Sequence, residues 1–175
     1  MNTIERKIEI SEIENLLAKE GALIELQGNT ITSTDPETNL KMTHILVQDN
    51  DGVGAVLFNT MALKQLKKEE VSSEFCLKLL SIENGINTSN FRLVPNKQGY
   101  SLILQNFAKL QNMGPEDIDD ILSSLSYLFA DVEASRKLFG EITAPRPDKN
   151  APKATNIKAV DSKTQPKSTG NKKKK

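Results

Sequence analysis

Beyond Gly140 the sequence loses the means to build a core. Residues 141–175 contain no aromatic side chain, hold four of the seven prolines (Pro145, Pro147, Pro152, Pro166) and end in Lys172, Lys173, Lys174 and Lys175. So little apolar surface cannot offset the entropy of ordering the stretch. The chain is therefore read as a single α+β domain over 1–140 and a disordered basic tail over 141–175. Charge divides at the same place. Residues 1–140 carry 13 Lys/Arg against 20 Asp/Glu (13 − 20 = −7) and residues 141–175 carry 10 against 3 (10 − 3 = +7), so the formal net charge of zero describes neither part.

A body of 140 residues can remove roughly two thirds of its unfolded surface from water, enough for one core. Its longest apolar runs, such as Ile45–Val47 and Ala55–Phe58, are far short of the roughly 20 residues that span a bilayer. The first ten residues lack the apolar stretch and small-residue cleavage site of a secretory signal. With Cys76 as the single cysteine, a cytoplasmic address is expected.

Within the body the apolar spacing switches between helical and strand periods. Ser11 and Glu14 have the spacing of a capping box, so the first helix is expected to start there, with Ile13, Leu16 and Leu17 on its buried face and Gly21 as its stop. Ile4, Ile8 and Ile10 either extend that helix upstream or form a separate arm. Alternation from Ala22 to Gln27, the Gly28-Asn29 turn and Thr30–Ser33 predict a hairpin. Met42–Gln48 and Val53–Phe58 flank Asp49-Asn50-Asp51-Gly52, a second hairpin signal. Asn59 is expected to cap a helical region through Met61, Leu63 and Leu66, with Ser72 or Ser73 capping a second piece that Asn84-Gly85 ends. Phe91–Val94 and Tyr100–Gln105 read as a third hairpin, with Pro95 tolerated at a strand end.

The strongest single pattern comes last. Pro115 suits a first helical turn, and Glu116, Asp117, Asp119 and Asp120 place negative charge at the positive end of the helix dipole. Ile118, Ile121, Leu122, Leu125, Leu128, Phe129 and Val132 follow at three/four spacing, and Gly140 is expected to end the helix. The fold class that results is an antiparallel sheet of about five to six strands packed with an N-terminal helix, a middle helical region and a long C-terminal amphipathic helix.

Candidate chemistry is sparse. Asp49-Asn50-Asp51-Gly52 opens like a calcium loop, but position five would be Val53 and position twelve Thr60, so a plain hairpin turn is the better reading. The acidic cluster at 116–120 is accounted for by the helix dipole. His44, the single histidine, reads as a surface or edge residue and not as a general base, and Cys76 as a small buried hydrophobe. No glycine-rich phosphate loop is present, so no catalytic, cofactor or metal residue is assigned and no enzymatic activity is expected. Lys172 to Lys175 are the one candidate contact site, through electrostatic attraction to an anionic membrane or to nucleic acid.

The order of elements is similar to the α+β sandwich of type III secretion chaperones and to small bacterial proteins of the YjfI type. Phe75-Cys76-Leu77-Lys78-Leu79-Leu80, Ser89-Asn90-Phe91, Gly99-Tyr100-Ser101-Leu102-Ile103-Leu104, Ile118-Asp119-Asp120-Ile121 and Leu125 carry the YjfI likeness. That likeness implies a non-enzymatic cytoplasmic protein linked to membrane-stress proteins of the PspA type. The chaperone likeness implies an apolar groove that holds a partner's segment. The leading expectation is thus a protein-binding adaptor or chaperone-like module, compatible with a homodimer. The alternative is peripheral association with anionic membrane or nucleic acid through the Lys-rich tail.

Overall fold

The computed structural model describes residues 6–49 and 54–143. Three helices, α1 (Ile10–Lys19), α2 (Ser73–Leu80) and α3 (Pro115–Thr143), are combined with six strands: β1 (Leu23–Gln27), β2 (Thr30–Thr34), β3 (Lys41–Gln48), β4 (Ala55–Leu66), β5 (Asn90–Asn96) and β6 (Gly99–Leu110). The strands form one antiparallel sheet in the order β1-β2-β3-β4-β6-β5. The expected α+β class and strand number are those of the structure.

One face of the sheet is buried. Ile31, Met42, Leu46, Leu57, Met61, Leu102 and Leu104 point from it toward Ile13 and Leu17 of α1, Phe75 and Leu79 of α2, and Ile121, Leu128 and Val132 of α3. Strand side chains alternate between faces, so the residues between these lie on the opposite face, which no described helix covers.

Several expectations need correction. The first helix begins one residue before Ser11, with Glu9 at its N-cap, because the carboxylate that reaches back is Glu12: it accepts from Glu9 N–H at 3.1 Å while the Arg6 guanidinium holds it at 2.5 and 2.9 Å. Ile8 belongs to a separate arm. Backbone hydrogen bonds from Arg6 N–H to Gln111 O and from Gly54 N–H to Arg6 O pin that arm to the sheet and leave Ile8 fully buried. Ile4 lies outside the described residues.

Asn59 starts no helix. It sits inside β4, which continues unbroken to Leu66. Ala55, Leu57, Asn59 and Met61 keep strict alternation, and the register then shifts between Ala62 and Lys64, so Leu66 returns to the buried face five residues after Met61. An odd interval with one extra residue is a β-bulge. In the sequence it turns period two into an imitation of three/four spacing.

Gly140 does not end α3, which runs to Thr143. A Cβ at Gly140 would meet nothing within 4 Å, so the glycine is an exposed helical residue and not a left-handed cap. Gly21 stands as expected with φ of +90°, and the Ser72 hydroxyl caps α2 by accepting from Phe75 N–H, but α2 stops at Leu80 and Gly85, with φ of +77°, ends only the separate 3-10 turn Ile82–Asn84. Pro95 lies in β5, an edge strand.

Candidate functional site

A cavity of about 360 Å3 opens between the C-terminal end of α1, the β2–β3 connection and α3. Leu17, Ala22, Leu40, Met42, Leu125 and Phe129 make it predominantly apolar, and Ser33 is its polar floor. Glu20, Asp35 and Glu37 stand at its edge, and no Lys or Arg is among the lining residues. The turn after β2 fixes part of this rim. Asp35 accepts from the Thr38 hydroxyl at 2.8 Å and from Glu37 N–H at 2.8 Å, and these bonds hold its carboxyl below the usual range. The mouth therefore carries fixed negative charge over an apolar interior.

Beneath Ser33 lies a belt of buried polar groups. Ser33, His44, Asn59 and Asn106 sit on the neighbouring strands β2, β3, β4 and β6, with His44 directly opposite Asn59 and Asn59 directly opposite Asn106. Directions along the chain follow from one fixed acceptor. The backbone carbonyl of Ser124 on α3 can only accept, so Asn106 Nδ2 donates to it at 2.6 Å. Asn106 Oδ1 is then free to accept from Asn59 Nδ2 at 3.2 Å, and the same Nδ2 donates to Ser124 Oγ at 2.9 Å. This leaves Asn59 Oδ1 to accept from His44 Nδ1–H at 2.8 Å, so Nε2 is the bare nitrogen that accepts the Ser33 hydroxyl proton at 2.7 Å. A helix carbonyl thus sets the tautomer of a histidine two strands away.

His44 is not the surface residue expected from its position near a strand start. It is fully enclosed, and burial pushes its pKa down, with the Asn59 hydrogen bond opposing that shift. The Ser33–His44–Asn59 order is that of an activated serine, but the ring has no exposure and Ser33 only 8%. The geometry suits a strut more than a reacting centre. Sequence spacing could not bring together four polar residues from four strands; the usable signal was a polar residue at an inward position of each apolar strand.

The acidic cluster separates on folding. Glu116, Asp119 and Asp120 are exposed, whereas Asp117 is buried and its Oδ2 accepts from the N–H groups of Gln111, Asn112 and Met113 at 2.7–2.8 Å. Asp131, unmarked by the sequence reading, does the same for the segment before β5. It accepts from the N–H groups of Asn87, Thr88 and Ser89 and from the Thr88 hydroxyl at 2.9–3.1 Å. Burial raises the Asp131 carboxyl, but these hydrogen bonds outweigh it and leave the pKa below the usual value.

Cys76 is half-buried, beside the Phe75, Leu79 and Leu102 cluster. The Asp49 loop lies partly, and Lys172 to Lys175 wholly, outside the described residues. Among the described residues no group of three or more His, Cys, Asp or Glu could hold a metal ion, and no helix is long and apolar enough to cross a membrane. No family model, curated protein or solved structure matches the chain.

Proposed function

We propose that this protein is a non-enzymatic, cytoplasmic binding module of the adaptor or chaperone-like kind. Its cavity takes up an apolar side chain that stands next to lysine or arginine in a partner's segment. The observation that carries this reading is the pairing of an apolar interior with a rim of Glu20, Asp35 and Glu37 and no basic lining residue. Burying one aliphatic or aromatic side chain contributes about 1.5–3 kcal/mol, so a single anchor gives a weak contact, and the carboxylate rim selects its neighbours more than it adds affinity. Membrane-stress proteins of the PspA type are the natural partners to try first, and a homodimer would present two such mouths.

The chain contains no Trp, so the test uses a fluorophore on the peptide. A labelled peptide with leucine between lysines should bind in an anisotropy titration, weaken several-fold from about 0.05 to 0.5 M salt, and weaken likewise with Glu20→Gln/Glu37→Gln. Equal binding of a peptide with leucine between glutamates would overturn the reading.

A further inference from the structure

We propose that the face of the sheet that no described helix covers, on the side away from the cavity, binds single-stranded nucleic acid. Across β3, β4 and β6 one row of this face reads Ile45, Phe58, Phe107, each directly opposite the next. The two rings lie 6.2 Å apart, and Phe107 is 61% exposed. Phe58 is half-buried and its ring is tilted 53° from that of Phe107, so Phe107 is the stacking surface and Phe58 its neighbour on the sheet; an exposed aromatic on a sheet face can stack a base whatever its sequence.

The next row along the strands is polar and uncharged: Thr43, Thr60, Gln105 and Asn90, again opposite one another. Gln105 Nε2 donates to the Thr60 hydroxyl at 3.0 Å, which fixes its orientation. This row offers hydrogen-bonding groups beside the stacking surface.

Charge identifies the ligand class. Residues 1–140 hold 20 acidic against 13 basic residues, yet the ionic side chains that strand alternation places on this face are Lys41, Arg92 and Lys109 against Glu25 alone. All four are exposed. Lys109 is two residues from Phe107 on β6, opposite Val56, while Arg92 lies at the β5 edge. Cations flanking an aromatic row suit phosphates flanking stacked bases. The arrangement is separate from the acidic cavity rim.

The experiment is an anisotropy titration of the full chain with fluorescent oligo(dT) and oligo(U) of about 15 nucleotides over a series of salt concentrations, the two strands distinguishing DNA from RNA. Binding of either is expected, with Phe107→Ala weakening it about five- to a hundred-fold and Phe107→Tyr retaining it. Arg92→Gln/Lys109→Gln should flatten the log–log salt slope by about 1.4, or 0.7 per lost phosphate contact. Phe107 lies outside the core, so a thermal midpoint shared with the parent shows that the loss is local. The proposal is overturned if neither strand binds, if Phe107→Ala binds as tightly as the parent, which would place the contact at the C-terminal lysines, or if sedimentation shows that Phe107→Ala dissociates a dimer whose formation the oligonucleotide does not oppose.

Discussion

At Gly99 the backbone of β6 passes so close to β4 that a Cβ would lie 2.2 Å from Leu66 O and 3.0 Å from Lys67 Cα, with φ at +139°. Both the approach and the dihedral exclude a side chain. Gly99→Ala should therefore destabilise the fold by about 2 kcal/mol or more, read as a lower urea midpoint at unchanged slope. Glycine at 140 is the control, since nothing crowds it: Gly140→Ala should stabilise α3 by up to about 1 kcal/mol. His44 supplies a pH test. Its pKa is depressed in the fold, so the unfolded chain binds more protons once pH drops below the unfolded value near 6.5. Stability is full above that value and falls as pH decreases, by up to about 1.4 kcal/mol per pH unit, until the folded pKa is reached. Urea melts between pH 7 and 5 should show this slope, and it should vanish in His44→Gln. The lowered Asp131 carboxyl acts elsewhere, giving up its contribution only as pH falls below about 4.

Among the elements, α3 departs most from an ordinary amphipathic helix. Asp117, Ser124 and Asp131 recur every seven residues on its buried side, between Ile121, Leu128 and Val132. Each takes a different part of the chain: the loop after β6, the belt on the sheet, and the segment before β5. Apolar packing alone would let a helix slide by a turn, whereas three polar fixtures at heptad spacing set its register. Asp131→Ala should cost about 1.5–3 kcal/mol, because it removes the charged acceptor of three partly buried N–H groups, and amide exchange at Asn87, Thr88 and Ser89 should accelerate before that of β6. Protection unchanged at these three amides would show that the carboxylate is not what holds this segment. Such fixtures were not legible in the sequence. Hairpins, helix α3 and the stop at Gly21 were, because turn chemistry and periodicity are local. The helix expected after Asn59 failed because the bulge after Ala62 disturbs the period and the pairing that holds β4 straight comes from β6, some 40 residues later. The cavity failed for the same reason, since Ser33, Asp35 and Phe129 meet only in the fold. Ser11 failed for a different one: Arg6 selects Glu12 as the carboxylate that caps α1.

At the scale of the folded body, the polar belt joins the sheet to helix α3 through Asn59, Asn106 and Ser124. It runs between an apolar cluster around Ile13, Ile31, Leu57 and Ile121 and another around Met42, Met61, Leu104 and Leu128, and it ends at the cavity floor. A purely apolar contact between sheet and helix would be as stable, but it would neither orient His44 nor leave a hydroxyl oxygen at the base of the cavity. Because every member faces a complementary one, removing any single member leaves the groups it bonded unpaired inside a low-dielectric core. Asn59 is the node, holding His44, Asn106 and Ser124 at once. Asn59→Ala should thus cost about 3 kcal/mol or more. The double variant Asn59→Ala/His44→Leu should cost clearly less than the sum of the two single changes, because the second substitution removes the donor that the first leaves unpaired. Additive losses in that cycle, measured by urea denaturation at pH 7.5 where the histidine is neutral, would mean that the two side chains act separately and that the belt does not couple sheet to helix.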